Sequence, residues 1–269
     1  MSRYFLDTEF LEGPQKKLFG QTKPTIDLIS IGIVSEDGRE YYAVSKDFNL
    51  KEAWNRYQMK QVYGDARNRF PEGIREYWIR ENVLRPIFKE WKQEANGKII
   101  RLGLPIPLNE LKFNYKNFKD CIKCVGKSNE QIANEIVKFV YPNAIYNHPN
   151  CNHSDLEVTN CADSEKPEFY AYYADYDWVA FCWLFGKMID LPKGFPMYCR
   201  DLKQELDRVG NDKKLTTETL DSWLDLVKKR KDYPKQTNEH NAIADARWNH
   251  ELYKFLNSYI FEPIKEKTR

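Results

Sequence analysis

The sequence lacks any long apolar run, and none of its segments approaches the ~18 to 20 consecutive apolar residues that a membrane-spanning helix needs. Its start does not resemble a secretion signal either, because Asp7 and Glu9 follow closely on Met1. We therefore expect a cytoplasmic protein with no membrane partner. In that compartment the six cysteines are expected to be thiols or metal ligands rather than disulfides.

The net charge is also small, at +2 over 269 residues. Because 42% of the residues are hydrophobic as well, disordered and fibrous classes of protein are excluded. The charge is unevenly distributed, however. Residues 51–127 carry 17 basic and 9 acidic groups, a net of +8, together with eleven aromatic residues. Basic groups interleaved with rings suit phosphates and stacked bases. A solvated lysine-rich face over an aromatic core would explain the same composition.

Short apolar runs bounded by turn residues open the chain, and helical spacing dominates later. The predicted strands span residues 4–11, 25–34, 40–45 and 169–174. The predicted helices cover 50–91 with interruptions at Pro71 and Pro86, then 128–140, 178–188, 202–209, 220–229 and 241–259. Residues 96–125 and 141–166 are predicted to be irregular. This order indicates a mixed α/β domain over residues 1–269, with a basic helical insertion at about 51–95 and an irregular Cys/His insertion at about 96–166.

Two carboxylates lie one residue apart on the first predicted strand. Asp7 and Glu9 point to the same face because side chains at i and i+2 share a face of a strand. Such a pair would repel on a buried strand unless a cation neutralised it, so the pair is a metal site in outline. Taken alone, a solvent-facing strand end explains the pattern equally well.

Two further acidic elements occur where helices begin. Asp175 and Asp177 follow the predicted strand 169–174, at the kind of strand end where α/β proteins gather ligands, although a lone Asp there could be a helix N-cap. His240 and Asp245 lie five residues apart at the start of the last helix. The small residues around them would let that helix approach a sheet closely.

Together these elements resemble the DEDDh class of 3′-to-5′ exonucleases. The segments 4–10 and 29–45 are similar to the exoribonuclease group of ribonuclease AS, relatives of ribonuclease T. The resemblance is strongest over residues 3–48, 169–186 and 238–257, which is under half of the chain but contains every expected catalytic position. It implies a ribonuclease H-like mixed sheet flanked by helices, adenylate-rich single-stranded RNA 3′ ends as substrate, and a homodimer.

The resemblance also assigns roles to individual residues. It implies that Asp7, Glu9, Asp177 and Asp245 bind two divalent cations and that His240 is the general base. Asp177 is preferred to Asp175 because the family places its acid directly after an aromatic, here Tyr176. Asp175 stands where the family has a neutral residue and adds a competing ligand. Thr8 and Phe10 are implied to contact the 3′-terminal nucleotide.

The chemistry fits these assignments independently of the resemblance. Phosphodiester hydrolysis needs an activated water and a stabilised leaving oxygen, which two divalent ions about 3.5 to 4 Å apart supply. Carboxylate ligands favour Mg²⁺ or Mn²⁺. A neutral imidazole near pH 7 can accept the proton of the water without binding the metal.

Cysteines and histidines are enriched between residues 121 and 161. Cys-x2-Cys with distant partners is a tetrahedral zinc pattern, and an irregular insertion would gain stability from a structural metal. The second half of this cluster lacks another Cys-x2-Cys pair, so free thiols remain the alternative. The candidate zinc ligands are Cys121, Cys124, Cys151 and Cys161, with His148 and His153 nearby. Cys182 and Cys199 are expected in helical, buried contexts.

Three functions other than that of an exoribonuclease share some of these sequence features. A catalytically silent nucleic-acid-binding module would not need the complete set of acids and His240. A phosphatase with an Asp nucleophile on the first strand needs a second Asp after it, and Glu9 fits that requirement poorly. A 3′-to-5′ exonuclease acting on single-stranded DNA remains open, because no residue can be assigned to read the 2′-hydroxyl of RNA.

Overall fold

The computed structural model describes residues 2–16, 19–62, 72–94, 107–142, 166–211 and 217–261. The strands in these segments are β1 (Arg3–Gly13), β2 (Thr25–Ser35), β3 (Glu40–Val44), β4 (Gln58–Val62), β5 (Glu72–Glu76), β6 (Glu168–Ala171) and β7 (Arg200–Asp201). The α-helices are α1 (Leu50–Asn55), α2 (Arg85–Glu94), α3 (Tyr115–Val125), α4 (Asn129–Val140), α5 (Ala174–Trp183), α6 (Leu202–Asn211), α7 (Thr217–Lys228) and α8 (Ala242–Phe261). None of the helices in the described segments combines the length and the apolar character needed to cross a bilayer.

Five strands form one mixed sheet in the order β3-β2-β1-β6-β7, while β4 and β5 form a separate antiparallel pair. Strand β6 pairs in parallel with β1 on one side and with β7 on the other. Because helices flank this sheet, the predicted mixed α/β class is confirmed, and the architecture is consistent with a ribonuclease H-like fold. The predicted opening strands are also confirmed.

The chain divides into two compact units. The first comprises Met1–Thr8, Ser30–Ala43 and Glu130–Arg269, and the second comprises Glu9–Ile29 and Val44–Asn129.

The core of the first unit places α8 against the sheet. Phe5 of β1 packs with Leu252 and Phe255 of α8, and Leu206 of α6 joins the same buried cluster. The approach of α8 is close because Gly32 has no side chain: a Cβ built there would lie 2.3 Å from the carbonyl oxygen of Ala242. The sequence prediction that small residues permit this contact is confirmed. Helix α8 therefore begins directly over the sheet.

The second unit has an aromatic core. The ring of Phe113 lies 4.8 Å from that of Trp54 and 5.4 Å from that of Phe88, and Trp91 stacks on Phe118 at 5.5 Å between centroids. These rings come from α1, α2, α3 and the chain between the helices. Several aromatic residues of the basic segment therefore form a core, which was one of the two explanations of its composition.

Two sequence predictions in this unit were wrong. Residues 58–62 and 72–76 form the β4–β5 hairpin instead of helix. The two strands are separated by nine residues in the sequence, too many for the two-residue turn that marks a hairpin most clearly. Residues 115–125 form α3 instead of irregular chain, because Asn114 caps its N-terminus and Phe118, Cys121 and Ile122 repeat at helical spacing on its buried face.

Pro86 lies inside helical structure rather than ending it. A π-helical turn at Arg80–Leu84 precedes α2, and the N–H of Arg85 bonds to the carbonyl of Arg80. Proline lacks the N–H of an ordinary helical turn and crowds the preceding carbonyl, so the wider turn relieves the conflict.

Candidate metal centre

Strand β1 presents the first two acids as its alternation requires. Asp7 and Glu9 are half-buried on one face, and the intervening Thr8 is buried on the other. The expectation that both carboxylates share a face is confirmed.

Helix α8 adds a third carboxylate. Asp245 lies in the first turn of this helix and is 6% exposed. Its ligand atom and those of Asp7 and Glu9 all lie within 4.8 Å of one another, a grouping that could hold a metal ion. The sequence prediction that acids from the two ends of the chain converge is confirmed for these three residues.

Both oxygens of Asp245 are held by the loop that precedes α8. The side-chain amide of Gln236 donates to Oδ1 at 2.7 Å, and the backbone N–H of His240 donates to Oδ2 at 2.9 Å. Burial raises the pKa of the Asp245 carboxyl, and the contacts with Gln236 and His240 oppose that rise. Ordering of a candidate ligand by its neighbours in this way is typical of metal sites.

Asp177 occupies a different local setting from the other three acids. Its Oδ1 accepts hydrogen bonds from the backbone N–H of Thr8 at 2.9 Å and from the Thr8 hydroxyl at 2.6 Å. It is not among the three residues whose ligand atoms are grouped within 4.8 Å. Its neighbour Asp175 is exposed, whereas Asp177 is 6% exposed. Of the two acids in this motif, the buried one is therefore the one attached to β1.

Burial also perturbs the titration of Asp177. Loss of water raises the pKa of the Asp177 carboxyl to about 7. The two hydrogen bonds from Thr8 oppose the rise, and the negative charges of Asp201 and Asp245 add to it. A carboxylate in such surroundings is costly to ionise until a cation compensates its charge.

The loop before α8 has a strained backbone. His240 has φ of +66° and Asn238 has φ of +55°, in the left-handed region that residues other than glycine rarely adopt. Such strain persists only where the surroundings enforce it, and it clusters at functional sites. Here the N–H of His240 bonds to Asp245, so the strained residue is fastened to a candidate ligand.

The donor set fits a hard divalent cation. Asp7, Glu9 and Asp245 offer only carboxylate oxygens, which Mg²⁺ and Mn²⁺ prefer. Three carboxylates this close repel one another, so a bound cation would relieve an electrostatic cost that the apoprotein bears. The residues present therefore suit the metal class expected from the sequence.

The predicted zinc cluster lies partly outside the described residues, which do not include Cys151, Cys161, His148 and His153. Of the other two candidates, Cys121 is buried in α3, where burial raises the pKa of its thiol to about 11, and Cys124 is exposed on the same helix. The zinc site stays a prediction.

The other two cysteines differ from each other. Cys182 is buried in α5 as expected. The expectation that Cys199 is helical and buried was wrong, because it lies just before β7, outside the helices, and is half-exposed.

Sequence reasoning missed two residues that organise this region. Gln236 holds Asp245, and its loop gave no signal. Asp201 accepts backbone hydrogen bonds from two helix starts, those of α5 and α6. An Asp immediately before the amphipathic run of α6 is an N-cap pattern, so its cap on α6 was predictable, whereas its contact with α5 was not.

Two known proteins are similar to the chain over nearly its whole length. The chain is 26% identical over 256 residues to proteins named 3′-5′ exoribonuclease from two strains of Mycobacterium tuberculosis. The match covers 95% of this chain and 94% of each relative. No protein-family model matches the chain.

Proposed function

We propose that this protein is a metal-dependent 3′-to-5′ exoribonuclease that removes nucleotides from the 3′ ends of single-stranded RNA. The observation that carries the proposal is the grouping of Asp7, Glu9 and Asp245, whose ligand atoms lie within 4.8 Å of one another. The names of the Mycobacterium tuberculosis relatives support the same activity, since the similarity runs over nearly the whole length of both chains.

In this proposal Asp7, Glu9, Asp177 and Asp245 hold two divalent ions, Mg²⁺ or Mn²⁺. Bound there, the ions supply an activated water and charge neutralisation for the leaving 3′ oxygen. The protein contributes rigid placement: β1 sets the spacing of the first two acids, and Asp245 is oriented by Gln236. Asp177 is fixed to β1 through Thr8.

His240 is the proposed general base. A neutral imidazole can accept a proton from the attacking water at neutral pH. The bond from its backbone N–H to Asp245 keeps the residue beside the carboxylates without using the ring as a ligand.

Two residues are proposed to contact the 3′-terminal nucleotide, Thr8 and Phe10. Thr8 follows Asp7 in β1 and Phe10 follows Glu9, so both are neighbours of the candidate ligands in the chain. Thr8 already bonds to Asp177, so its proposed substrate contact and its role in fixing Asp177 would be coupled.

The β4–β5 hairpin and the turn that follows it are proposed to bind the RNA strand upstream of the cleaved bond. The guanidinium of Arg75 lies 4.7 Å from the centre of the Tyr57 ring, and that of Arg80 lies 3.8 Å from the centre of the Tyr77 ring. The two tyrosine rings are 5.9 Å apart. Stacked guanidinium and aromatic groups are surfaces on which unpaired bases and phosphates bind. Arg67 and Arg69, which the sequence places between these two strands, lie outside the described residues.

A homodimer is also part of the proposal. Tyr176 and Trp183 expose 51% and 49% of their surface on α5, and Ile189 exposes 68% in the turn beyond it. Apolar groups exposed together suit a protein interface. Sedimentation velocity of Trp183→Asp should show a lighter species than the wild type, whereas Leu226→Asp, at an exposed leucine on α7, should not.

The deciding experiment incubates the purified protein with 3′-tailed single strands of each base, as RNA and as DNA, with Mg²⁺ or with EDTA. The proposal predicts stepwise shortening of RNA from its 3′ end only when metal is present, with adenylate tails preferred. Equal shortening of DNA would assign a DNA exonuclease. Binding without shortening in Mg²⁺ and in Mn²⁺ would assign a silent binding module.

A further inference from the structure

Asp201 stands at an unusual junction in the first unit. It is the last residue of β7, it pairs in register with Ala171 of β6, and α6 begins at the next residue. One carboxylate there can reach the end of β6, the start of α5 and the start of α6.

The Asp201 carboxylate accepts hydrogen bonds from the starts of both helices. Its Oδ1 accepts from the backbone N–H groups of Lys203 at 2.7 Å and Gln204 at 3.3 Å, which caps α6. Its oxygens also accept from Tyr173 at 3.3 Å and Ala174 at 3.2 Å, which lie at the start of α5. Asp201 therefore joins two helix N-termini that belong to different parts of the chain.

Helix α5 depends on this distant cap because it lacks one of its own. Tyr173, its N-cap residue, makes no side-chain cap bond and sits in the left-handed region with φ of +56° and ψ of +52°. The first N–H groups of a helix have no partner within the helix, and a left-handed tyrosine is strained. The bonds from Tyr173 and Ala174 to Asp201 give two of these N–H groups an acceptor and hold Tyr173 in its strained conformation.

The first turn of α5 carries Asp177. Its carboxylate is bonded to the backbone and the hydroxyl of Thr8, so a shift of the turn would move Asp177 relative to the acids of β1. A rotation of the left-handed residue at the helix start would propagate directly to a side chain four residues later.

We propose that Asp201 is a positioning residue for the acidic site: by holding the left-handed turn before α5, it sets where Asp177 lies relative to β1. The inference rests on the proposed exonuclease function, and it adds a residue that contacts neither the substrate nor the metal.

The test compares Asp201→Asn with Asp207→Asn. Asparagine keeps one acceptor oxygen, which can serve the donors now on Oδ1, but it turns an NH2 group toward the N–H of Ala174, so it cannot hold both helix starts as the carboxylate does. Asp207 is a matched control because it is a carboxylate on α6 that pairs with Lys203 through the side chain and makes no bond to the α5 turn. For Asp201→Asn we expect kcat on 3′-tailed RNA to fall at least tenfold while KM stays within about twofold. Mn²⁺ titrated calorimetrically into the full chain should bind Asp201→Asn at least several-fold more weakly than Asp207→Asn.

Glycine at position 173 provides a second route to the answer. Glycine adopts the left-handed region without strain, so in a Tyr173→Gly background the loss caused by Asp201→Asn should shrink. A merely structural role for Asp201 would lower thermal stability without this recovery of kcat. If Asp201→Asn alone does not fold by circular dichroism, Asp201→Glu, which keeps the charge but moves the carboxylate by one methylene, is compared with Asp207→Glu, and the same loss of kcat and of Mn²⁺ affinity is expected.

The outcomes distinguish a failure of the exonuclease proposal from a failure of the positioning role of Asp201. A wild type that binds Mn²⁺ but shortens no nucleic acid overturns the exonuclease proposal, and the Mn²⁺ affinities then decide the role of Asp201. An active wild type with equal kcat and Mn²⁺ affinity in both Asn variants overturns the positioning role alone.

Discussion

Asparagine at position 177 should stabilise the metal-free protein while it abolishes cleavage. The Asp177 carboxyl is buried and close to other acids, which raises its pKa from 3.8 to about 7. Asparagine keeps an oxygen that can accept the two hydrogen bonds from Thr8, and it removes the charge. The variant therefore tests the electrostatic cost of the site separately from its packing.

The sign of the pH dependence follows from proton binding. Between about pH 4 and pH 7 the unfolded chain has released the Asp177 proton while the folded chain retains it, so the folded state binds more protons. Stability must then fall as pH rises through this window and level off above it. The full penalty is about 4 kcal/mol at 1.36 kcal/mol per pH unit, an order-of-magnitude figure. At pH 5 only the smaller part of it is present, because the folded carboxyl is still protonated there.

The assay is thermal unfolding in EDTA at pH 5 and pH 8. Asp177→Asn should unfold at a higher temperature than the wild type, with a gap of roughly 10 °C at pH 8 and a much smaller one at pH 5. Asp175→Asn is the control, because Asp175 is exposed on the same turn. Addition of Mg²⁺ should then stabilise the wild type more than Asp177→Asn, by about 2.7 kcal/mol at a hundredfold excess over Kd. A gap that is equal at both pH values would refute the reasoning.

Three further predictions concern the site and the strand it acts on. Asp7→Asn or Asp245→Asn should abolish RNA cleavage with an unchanged circular dichroism spectrum, and more than about a tenth of wild-type activity would contradict a metal role. His240→Ala should lower turnover by roughly 10² to 10⁴-fold with Mn²⁺ affinity retained in calorimetry, while an equal loss of metal binding would make it a ligand. Arg75→Glu in a catalytically dead variant should weaken single-stranded RNA binding and flatten its salt dependence by about 0.7 per lost phosphate contact, whereas Arg208→Glu, on α6, should change neither.

Local pattern in the sequence was enough to predict part of the site. The period of two places Asp7 and Glu9 on one face of β1 whatever the rest of the chain does. The small residues around Asp245 predicted a close helix contact, which Gly32 and Ala242 make. These features depend on residues near in sequence or on residue size alone.

The missed features depend on residues that are distant in sequence. Thr8 and Asp177 are separated by 169 positions, and no local pattern shows that a threonine between two acids would hold a third. The contact of Asp201 with the start of α5 spans 27 positions and joins backbone groups, which carry no sequence signal. Helix α3 was missed for the opposite reason, since its short apolar repeat was outweighed by the glycines and prolines that precede it.

Because Gly32 has no side chain, the backbone at the start of α8 can lie directly against the sheet. Even a methyl group at position 32 would overlap the carbonyl of Ala242. A substitution at this core position would therefore also affect Asp245, which lies three residues further along α8. Because the overlap is with backbone atoms, a larger residue at position 32 would push the start of α8 away from the sheet and displace Asp245 with it. Position 32 thus links the packing of the core to the geometry of the candidate metal centre.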